Sequence, residues 1–539
     1  MNIMRKKNFL RKCAGGITLA AMVLWSASCK KNDPVAGQSL SGSSAEATQP
    51  KSKLRANEIN SQADAAFNAI TSAFLVTSGS AQYFKAALNN NEKDYFWQQA
   101  LDIQMVEDTY LRTKSAAHKT LVTNLLNTFI QQNQGTGGAL DWSWNQYNDD
   151  LLWAGIAFAR GYQITGNAAF LTQAKYAFNY AYDRGWDSAL GGGIWWNVGH
   201  KDKSGLSNNT AVILGCYIYE ATKEIAYLTK AKACYDWVWG HLYNNSTGAL
   251  AENMLADGTL SSATNVYNAG AFISAANHIH RLMGLTSVYN DAKRAVDFVK
   301  NNLNTGGILN NNIDNGTWAS EFARGLGEFV RDNNLWSIYY PWMKQNADAA
   351  WAKRRTDYNI TWNNWLSNTP TVNNTMAVAC ISAVVMQQVT PATQPGLTEN
   401  GIYRLTPKIA TGSALDIAMS TSLADIWGWN AGNNQKFKIV PVNYGYYRLV
   451  PQSLTTSSLD VNGGSNANNT PIQIYAANNN ASQYYKLVYD YDGYYKLKPR
   501  CAPSSCVNVQ GGATANGTKC VLWQESFGDN ERWSMQLNP

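Results

Sequence analysis

Between residues 56 and about 390, apolar positions recur at helical spacing almost without a break, separated by Gly-, Asn- and Asp-rich loops and with no paired alternating runs. One stretch sets the pattern. After Asp150 the polar residues nearly vanish, leaving one apolar stripe at Leu152, Ile156 and Ala159 and another at Leu151, Gly155, Phe158 and Tyr162. A helix there is apolar on two faces and belongs inside a packed assembly. Asn148 reads as its N-cap, which puts Asp149 and Asp150 in the first turn. A weak repeat runs through the region: Tyr110-Leu111, then Tyr162 ahead of Phe170-Leu171, Tyr219 ahead of Tyr227-Leu228, and His280 ahead of Tyr289. Steps of 52 to 61 residues fit two helices and their loops, and six such hairpins use up the region. A closed ring of helix pairs, an (α/α)6 toroid, accounts for this better than an open solenoid, because one Trp/Gly-rich loop per repeat converges on a common centre.

Past residues 390–396 the period changes to short alternating strands and turns. Three units repeat there. Tyr403-Arg404-Leu405, Tyr447-Arg448-Leu449 and Tyr495-Lys496-Leu497 open them, and Trp427, Tyr475 and Trp523 are 48 residues apart, as are Gln435-x-Phe437, Gln483-x-Tyr485 and Glu531-x-Trp533. Units too small to bury a face alone close together as a β-trefoil over residues 397–539.

Composition narrows the class. Only 15% of the 539 residues are charged while 12% are aromatic, with 20 Trp and 29 Tyr, a balance typical of exported carbohydrate-active proteins. The net charge of +7 forms no Lys/Arg cluster beyond the first dozen residues, which excludes a nucleic-acid partner. Residues 1–29 read as an export signal: Arg5, Lys6, Lys7, Arg11 and Lys12, then an apolar run from Ile17 to Trp25 too short to span a membrane. Ser26-Ala27-Ser28-Cys29 resembles the lipobox that leaves an acylated Cys29, with ordinary cleavage and release as the alternative. Residues 30–55 read as a flexible tether. The expected location is therefore the outer membrane or cell surface, membrane contact being through the lipid anchor only. Among the remaining Cys, Cys506 with Cys520 is the first candidate disulfide and Cys501 the competitor. No Cys/His set has metal-ligand spacing, so His200, His241, His278 and His280 are read as structural, and no metal or cofactor is expected.

Asp149 and Asp150 are the candidate chemistry. On their own they read as ordinary helix-start residues. Their surroundings change the picture: Trp142, Trp144, Tyr147, Trp153, Trp186, Trp195 and Trp196 crowd within about fifty residues, and indole faces grip sugar rings. Gly191-Gly192-Gly193 permits positive φ and brings Trp195 and Trp196 to one place.

With Asp149-Asp150-x-x-Trp153, Thr165-Gly166-Asn167-Ala168-Ala169-Phe170-Leu171, Gly191-Gly192-Gly193-Ile194-Trp195-Trp196 and Lys203-Ser204-Gly205-Leu206-Ser207-Asn208, the region resembles glycoside hydrolase family 76, the endo-α-1,6-mannanases. Tyr267-Asn268-Ala269-Gly270 and Phe322-Ala323-Arg324-Gly325-Leu326 depart from that family's pattern. The resemblance implies retaining hydrolysis of mannan, Asp149 as nucleophile and Asp150 as acid/base, with Trp195, Trp196, Lys203, Asn208, Tyr267 and Asn268 on the substrate. Adjacent carboxylates suit the separation of roughly 5 to 5.5 Å that retention uses.

The C-terminal region resembles ricin-type lectins, carbohydrate-binding module family 13. That likeness implies a sugar bonded by Asp416, Asp460 or Asn508, stacked on Trp427, Tyr475 or Trp523, and completed by Asn434 or Asn530. Ser482 and Asn508 depart from the motif. The alternatives are a glycan-binding surface protein without catalysis, or another (α/α)6 carbohydrate enzyme such as a transglycosylase or an unsaturated glucuronyl hydrolase. A monomer is expected in which the toroid cuts and a separable trefoil holds glycan, so that removing residues 397–539 spares activity on small oligosaccharides.

Overall fold

Helices alternate between an inner and an outer ring in the computed structural model, which describes residues 51–309 and 319–539. The signal segment, Cys29 and most of the expected tether lie outside the described residues, while helix begins at Lys51, inside the stretch read as tether. The helices are α1 (Lys51–Phe74), α2 (Phe96–Thr113), α3 (Ala116–Gln132), α4 (Asn148–Thr165), α5 (Ala168–Gly185), α6 (Gly205–Thr222), α7 (Ile225–His241), α8 (Val266–Met283), α9 (Thr286–Asn302), α10 (Ala319–Asp332), α11 (Trp336–Ala352) and α12 (Ile381–Val389). The even-numbered ones pack in a closed cycle, α2 on α4, α4 on α6, α6 on α8, α8 on α10, α10 on α12 and α12 back on α2. This is the (α/α)6 toroid.

Burial explains the division. Inner helices α4, α6 and α8 are buried on nearly every face, as the two apolar stripes after Asp150 require, while outer helices such as α5 and α7 bury one stripe and expose the other. Each fully buried Leu, Ile or Phe contributes roughly 1.5–3 kcal/mol. Gly270 and Gly325 bring α8 and α10 together: a Cβ on Gly270 would lie 2.3 Å from the Phe322 backbone. The seam closes through Gln388 of α12, which donates to the Ala63 carbonyl of α1 (2.8 Å) and accepts from Arg112 Nε of α2 (2.6 Å).

The C-terminal region is the trefoil. Six strands close a barrel, Ile402–Pro407, Phe437–Pro441, Tyr446–Pro451, Tyr485–Tyr489, Tyr494–Pro499 and Trp533–Leu537. Three hairpins cap it, Ser413–Ala418 with Leu423–Gly428, Ser457–Val461 with Thr470–Ala476, and Ser505–Val509 with Thr518–Gln524. Inside each unit the opening Tyr pairs with the repeated aromatic, Tyr403 with Phe437, Tyr447 with Tyr485 and Tyr495 with Trp533, all buried. Gln435 and Gln483 hold loops, accepting from the Asn430 and Asn478 amides, so the repeated Gln is structural.

The expected disulfide is not formed: Cys501, Cys506 and Cys520 are free thiols. Strand alternation is the reason. Cys520 points into the barrel core with Leu522, whereas Cys506 shares the outward face with Asn508, so the two thiols sit on opposite faces of one hairpin.

The trefoil is docked on the toroid through buried side chains. It sits on the C-terminal ends of the inner helices. Lys486, buried, bonds Asn333 Oδ1 and the Tyr444 carbonyl (3.1 Å) and lies 3.3 Å from His280 Nε2. Asp490 pairs with Lys114 after α2 (3.1 Å), Arg500 donates to the Gly284 carbonyl after α8 (3.2 Å), and Gln524 donates to the Glu220 carbonyl in α6 (3.3 Å). Helix C-termini carry partial negative charge, which Lys486 and Arg500 complement. The connecting residues are pinned too, Tyr340 Oη donating to the Pro391 and Ala392 carbonyls.

Candidate active site

The opposite end of the ring, where inner helices begin, holds Asp149 and Asp150. Helix α4 starts one residue earlier than the sequence reading has it: Tyr147 is the N-cap and Asn148 the first helical residue. Asn148 therefore does not cap. Its amide ties the helix start to the glycine loop and to the end of α5, donating to the Trp195 carbonyl (2.7 Å) and accepting from Arg184 Nε (2.6 Å).

Asp149 is 5% exposed. Its Oδ2 accepts from Trp196 Nε1 at 3.1 Å, and its Oδ1 is buried without a hydrogen-bond partner. Burial, and then the charge of Asp150, push the Asp149 carboxyl well above the usual carboxylate range. Asp150 is half-buried and accepts from Asn145 Nδ2 at 3.1 Å. Two adjacent carboxylates at a helix N-terminus, one desolvated, hold a proton between them far more readily than either would alone.

The glycine run shapes the wall beside them. Gly191, Gly192 and Gly193 all have positive φ, and a Cβ on Gly193 would strike the Trp237 ring at 2.5 Å. The chain then turns so that Trp196 reaches Asp149 and packs against Tyr147, ring centroids 5.0 Å apart. Trp196 is 36% exposed and Trp144 is also open, so these two supply indole faces at the rim. Of the others in the dense Trp group, Trp142, Trp153 and Trp195 are core and Tyr147 and Trp186 are half-buried.

Three residues expected on the substrate face other partners in this structure. Lys203 is fully buried and spends its ammonium protons on Asp187 Oδ1 and the Ala189 and Gly192 carbonyls, each at 2.7 Å. Asn208, also fully buried, clamps both backbone groups of Ile194 (2.8 and 3.1 Å). Trp195 donates to Asp187 (2.7 Å) and is sandwiched by Lys203 and His200. All three build the glycine loop from behind. Asn268 is buried on the Ala251 carbonyl at the start of α8, with its Oδ1 unpartnered. Tyr267 donates to Glu252 Oε1 (2.5 Å); burial first, then Glu252, raise its phenol pKa, and Asp149 adds to the rise, so the two groups lie within electrostatic range.

Sequence reasoning missed a charged cluster inside the ring. Arg324 of α10 donates to Asp108 (2.8 and 3.0 Å) and Glu321 (2.5 Å), and Arg160 of α4 donates to the same Asp108 (2.5 Å). Its trace in the sequence is polar residues interrupting apolar runs, Glu107 and Asp108 in α2 and Arg160 in α4.

The trefoil carries three equivalent side-chain pairs on its hairpins. Asn434 donates to Asp416 (2.9 Å), Ser482 to Asp460 (2.8 Å) and Asn530 to Asn508 (2.8 Å), each pair beside an open ring, Trp427, Tyr475 or Trp523, 45%, 58% and 42% exposed.

Comparisons with known proteins agree with this architecture. Residues 390–475 and 454–523 match the model described as ricin-type beta-trefoil lectin domain-like. The GH76A α-1,6-mannanase of Salegentibacter sp. HEL1_6 superposes with a TM-score of 0.56 at 23% identity, covering 62% of this chain and 98% of that one. An inactive variant of that enzyme, two consecutive aspartates replaced by asparagine, was solved with α-1,6-mannotriose. The family 76 mannosidase Bt3792 of Bacteroides thetaiotaomicron gives 0.55 at 19% identity, covering 62% and 98%. These likenesses concern the fold. A putative mannan endo-1,6-alpha-mannosidase of Schizosaccharomyces pombe is 25% identical over 178 residues, 30% of this chain and 38% of that protein. The toroid with its paired aspartates carries a match to the family model over residues 58–396, so the chain belongs to glycosyl hydrolase family 76.

Proposed function

We propose that the protein is a retaining, endo-acting hydrolase of α-1,6-linked mannan whose trefoil binds glycan. The observation that carries this reading is the Asp149–Asp150 pair at the start of a buried inner helix, beside the open Trp196. One carboxylate attacks the anomeric carbon while the other protonates the leaving oxygen and then activates water. We assign Asp149 the nucleophilic role and Asp150 the acid/base role, the latter being the more accessible of the two. The mannanases that share the fold, one of them inactivated by changing two consecutive aspartates, support the substrate class.

The test is digestion of unbranched mannan with sizing of products and NMR of the first-formed anomer. Short oligosaccharides of retained α configuration are expected; monosaccharide alone, or the β anomer, sinks the reading. A specific observation favours the exchanged roles: burial raises Asp149 toward the protonated form that a general acid needs. Azide separates the two assignments. Under ours, Asp150→Ala with azide yields the α-glycosyl azide and Asp149→Ala the β one.

For location we propose an acylated Cys29 and a surface lipoprotein, tested by membrane partition of the wild type against soluble export of Cys29→Ala.

A further inference from the structure

The three side-chain pairs of the trefoil lie at the same register of their hairpins and can be compared position by position. Asp416 faces Asp425 across the first hairpin, with Trp427 two residues on and on the same face. Asp460 faces Gln473 in the second, followed by Tyr475, and Asn508 faces Val521 in the third, followed by Trp523. In the second unit Gln473 Nε2 donates to Asp460 Oδ1 at 3.1 Å. The first unit instead sets carboxylate against carboxylate, an arrangement that destabilises a hairpin when both are charged.

Nothing nearby neutralises the pair. Asp416 accepts from the neutral Asn434 amide. Asp425 is 8% exposed, and its Oδ1 is buried and accepts no hydrogen bond. From the adjacent strand, Lys519 is the register partner of Asp425, but its side chain is exposed and only burial and Asp416 act on Asp425 among the described residues. Cys520 beside it is a buried thiol that the two acids hold further toward its neutral form. Burial, then the charge of Asp416, push Asp425 up to about 6. The site thus offers an open indole face over a pair of unneutralised carboxyl groups.

We propose that the first trefoil unit selects sugars bearing a protonated amine, the hexosamine ring stacking on Trp427 while its ammonium group sits on Asp416, with the carboxylate of Asp425 behind it adding to the negative charge. This rests on the reading of the trefoil as a lectin. A cation over an indole and beside a desolvated carboxylate pair gains from both, and the second unit, where Gln473 already fills its acid, gains nothing equivalent.

The experiment uses the full chain carrying Tyr475→Ala and Trp523→Ala, so that the first unit alone retains its platform. Calorimetric titration compares glucosamine, galactosamine and mannosamine with their N-acetyl and parent sugars. At least one hexosamine is expected to bind roughly tenfold more tightly than both counterparts near pH 7. Adding Asp425→Gln should abolish that preference, and near pH 5, where Asp425 takes up a proton, the preference should shrink. Equal affinity for amine and neutral sugar, a preference that survives Asp425→Gln, or neutral-sugar binding that merely rises at low pH overturns the inference. A parallel Trp427→Ala chain with the other units intact tests the lectin reading by itself: loss of all sugar binding in every chain removes that reading, and binding without amine selection removes this inference alone.

Discussion

The two ends of the toroid handle buried charge in opposite ways. Where the inner helices end, every acid that meets the trefoil is matched. Burial pushes these carboxyl groups up, but cations more than offset it: Arg281 holds Glu220 below the usual carboxylate range, Arg331 and Arg281 hold Asp332 there, and Lys496, Lys114 and Arg532 hold Asp490 there. Where the inner helices begin, Asp149 is just as buried and has, besides the amides of its own helix turn, one indole N–H, one orphan oxygen and a like charge next door. A cavity of about 260 Å³ at the paired end is lined by such matched ions. The difference separates what the charges are for. Paired ions fix the trefoil to the ring; the buried Asp149, beside a like charge and an open indole, is a cost to folding of the kind that catalytic carboxylates carry.

The largest effect that should break the comparison is at the unpaired end. Asp149→Asn and Asp150→Asn are each expected to lower kcat by roughly three orders of magnitude or more, about 4 kcal/mol of transition-state stabilisation, measured on mannan. Stability should move the other way. Because the folded state raises the Asp149 pKa, it binds a proton more readily than the unfolded chain, and stability is lost as pH rises above the ordinary carboxylate value. Asp149→Asn therefore melts higher than wild type near pH 8 and about equally near pH 4. A variant that is inactive but no more stable at pH 8 shows that Asp149 carries no such cost.

Next comes the paired end. Truncation after residue 396 strips Asn333, Lys114 and the helix carbonyls of their partners, each buried group costing about 1–3 kcal/mol unless water replaces the bond. The shortened chain should melt well below the full protein and lose activity even on oligosaccharides, contrary to the separable module the sequence suggests. Lys486→Met is the milder form: kcat near wild type, with melting lowered by several degrees. If the truncated toroid is as stable and active as the full chain, the docking is incidental.

A smaller effect tests the same contrast by pH. Asp490 is held low, so its ion pairs stabilise the fold fully above about pH 4 and are lost as pH falls through its folded pKa. Asp490→Asn should flatten the acid limb of the melting profile and leave the alkaline limb alone. Smallest is Trp196→Phe, which keeps the ring and removes the hydrogen bond to Asp149. A roughly tenfold loss in kcat/KM is expected, with the pH optimum moving upward as the carboxyl pKa rises further. No change in the pH profile excludes a role for the indole N–H.

How much of this was legible depended on range. The inner ring could be read because helices buried on all sides show it locally, as at Leu151 and Leu152, and the trefoil because its aromatic positions repeat every 48 residues. The glycine run gave its own conformation away. Lys203 did not: nothing along the chain distinguishes a cation that meets sugar from one that meets three acceptors behind a loop. Arg324 and Asp108 are 216 residues apart, and no periodicity reports such a pair. The disulfide was a misreading of parity, since Cys506 and Cys520 fall on opposite faces of one hairpin.

The seam between α1 and α12 sets the order in which the molecule can be made. Gln388 and the Ala63 carbonyl it bonds are separated by 325 residues. At a synthesis rate of roughly 5–20 residues per second, the first helix waits about 15 to 65 s for its neighbour to emerge. Throughout that interval the arc is open, and the apolar flanks of α1 and α2 that α12 will cover face water or a chaperone. Closure is late, non-local and shared by three helices, so the ring gains its last and most cooperative contacts in one step just before the trefoil can seat on it.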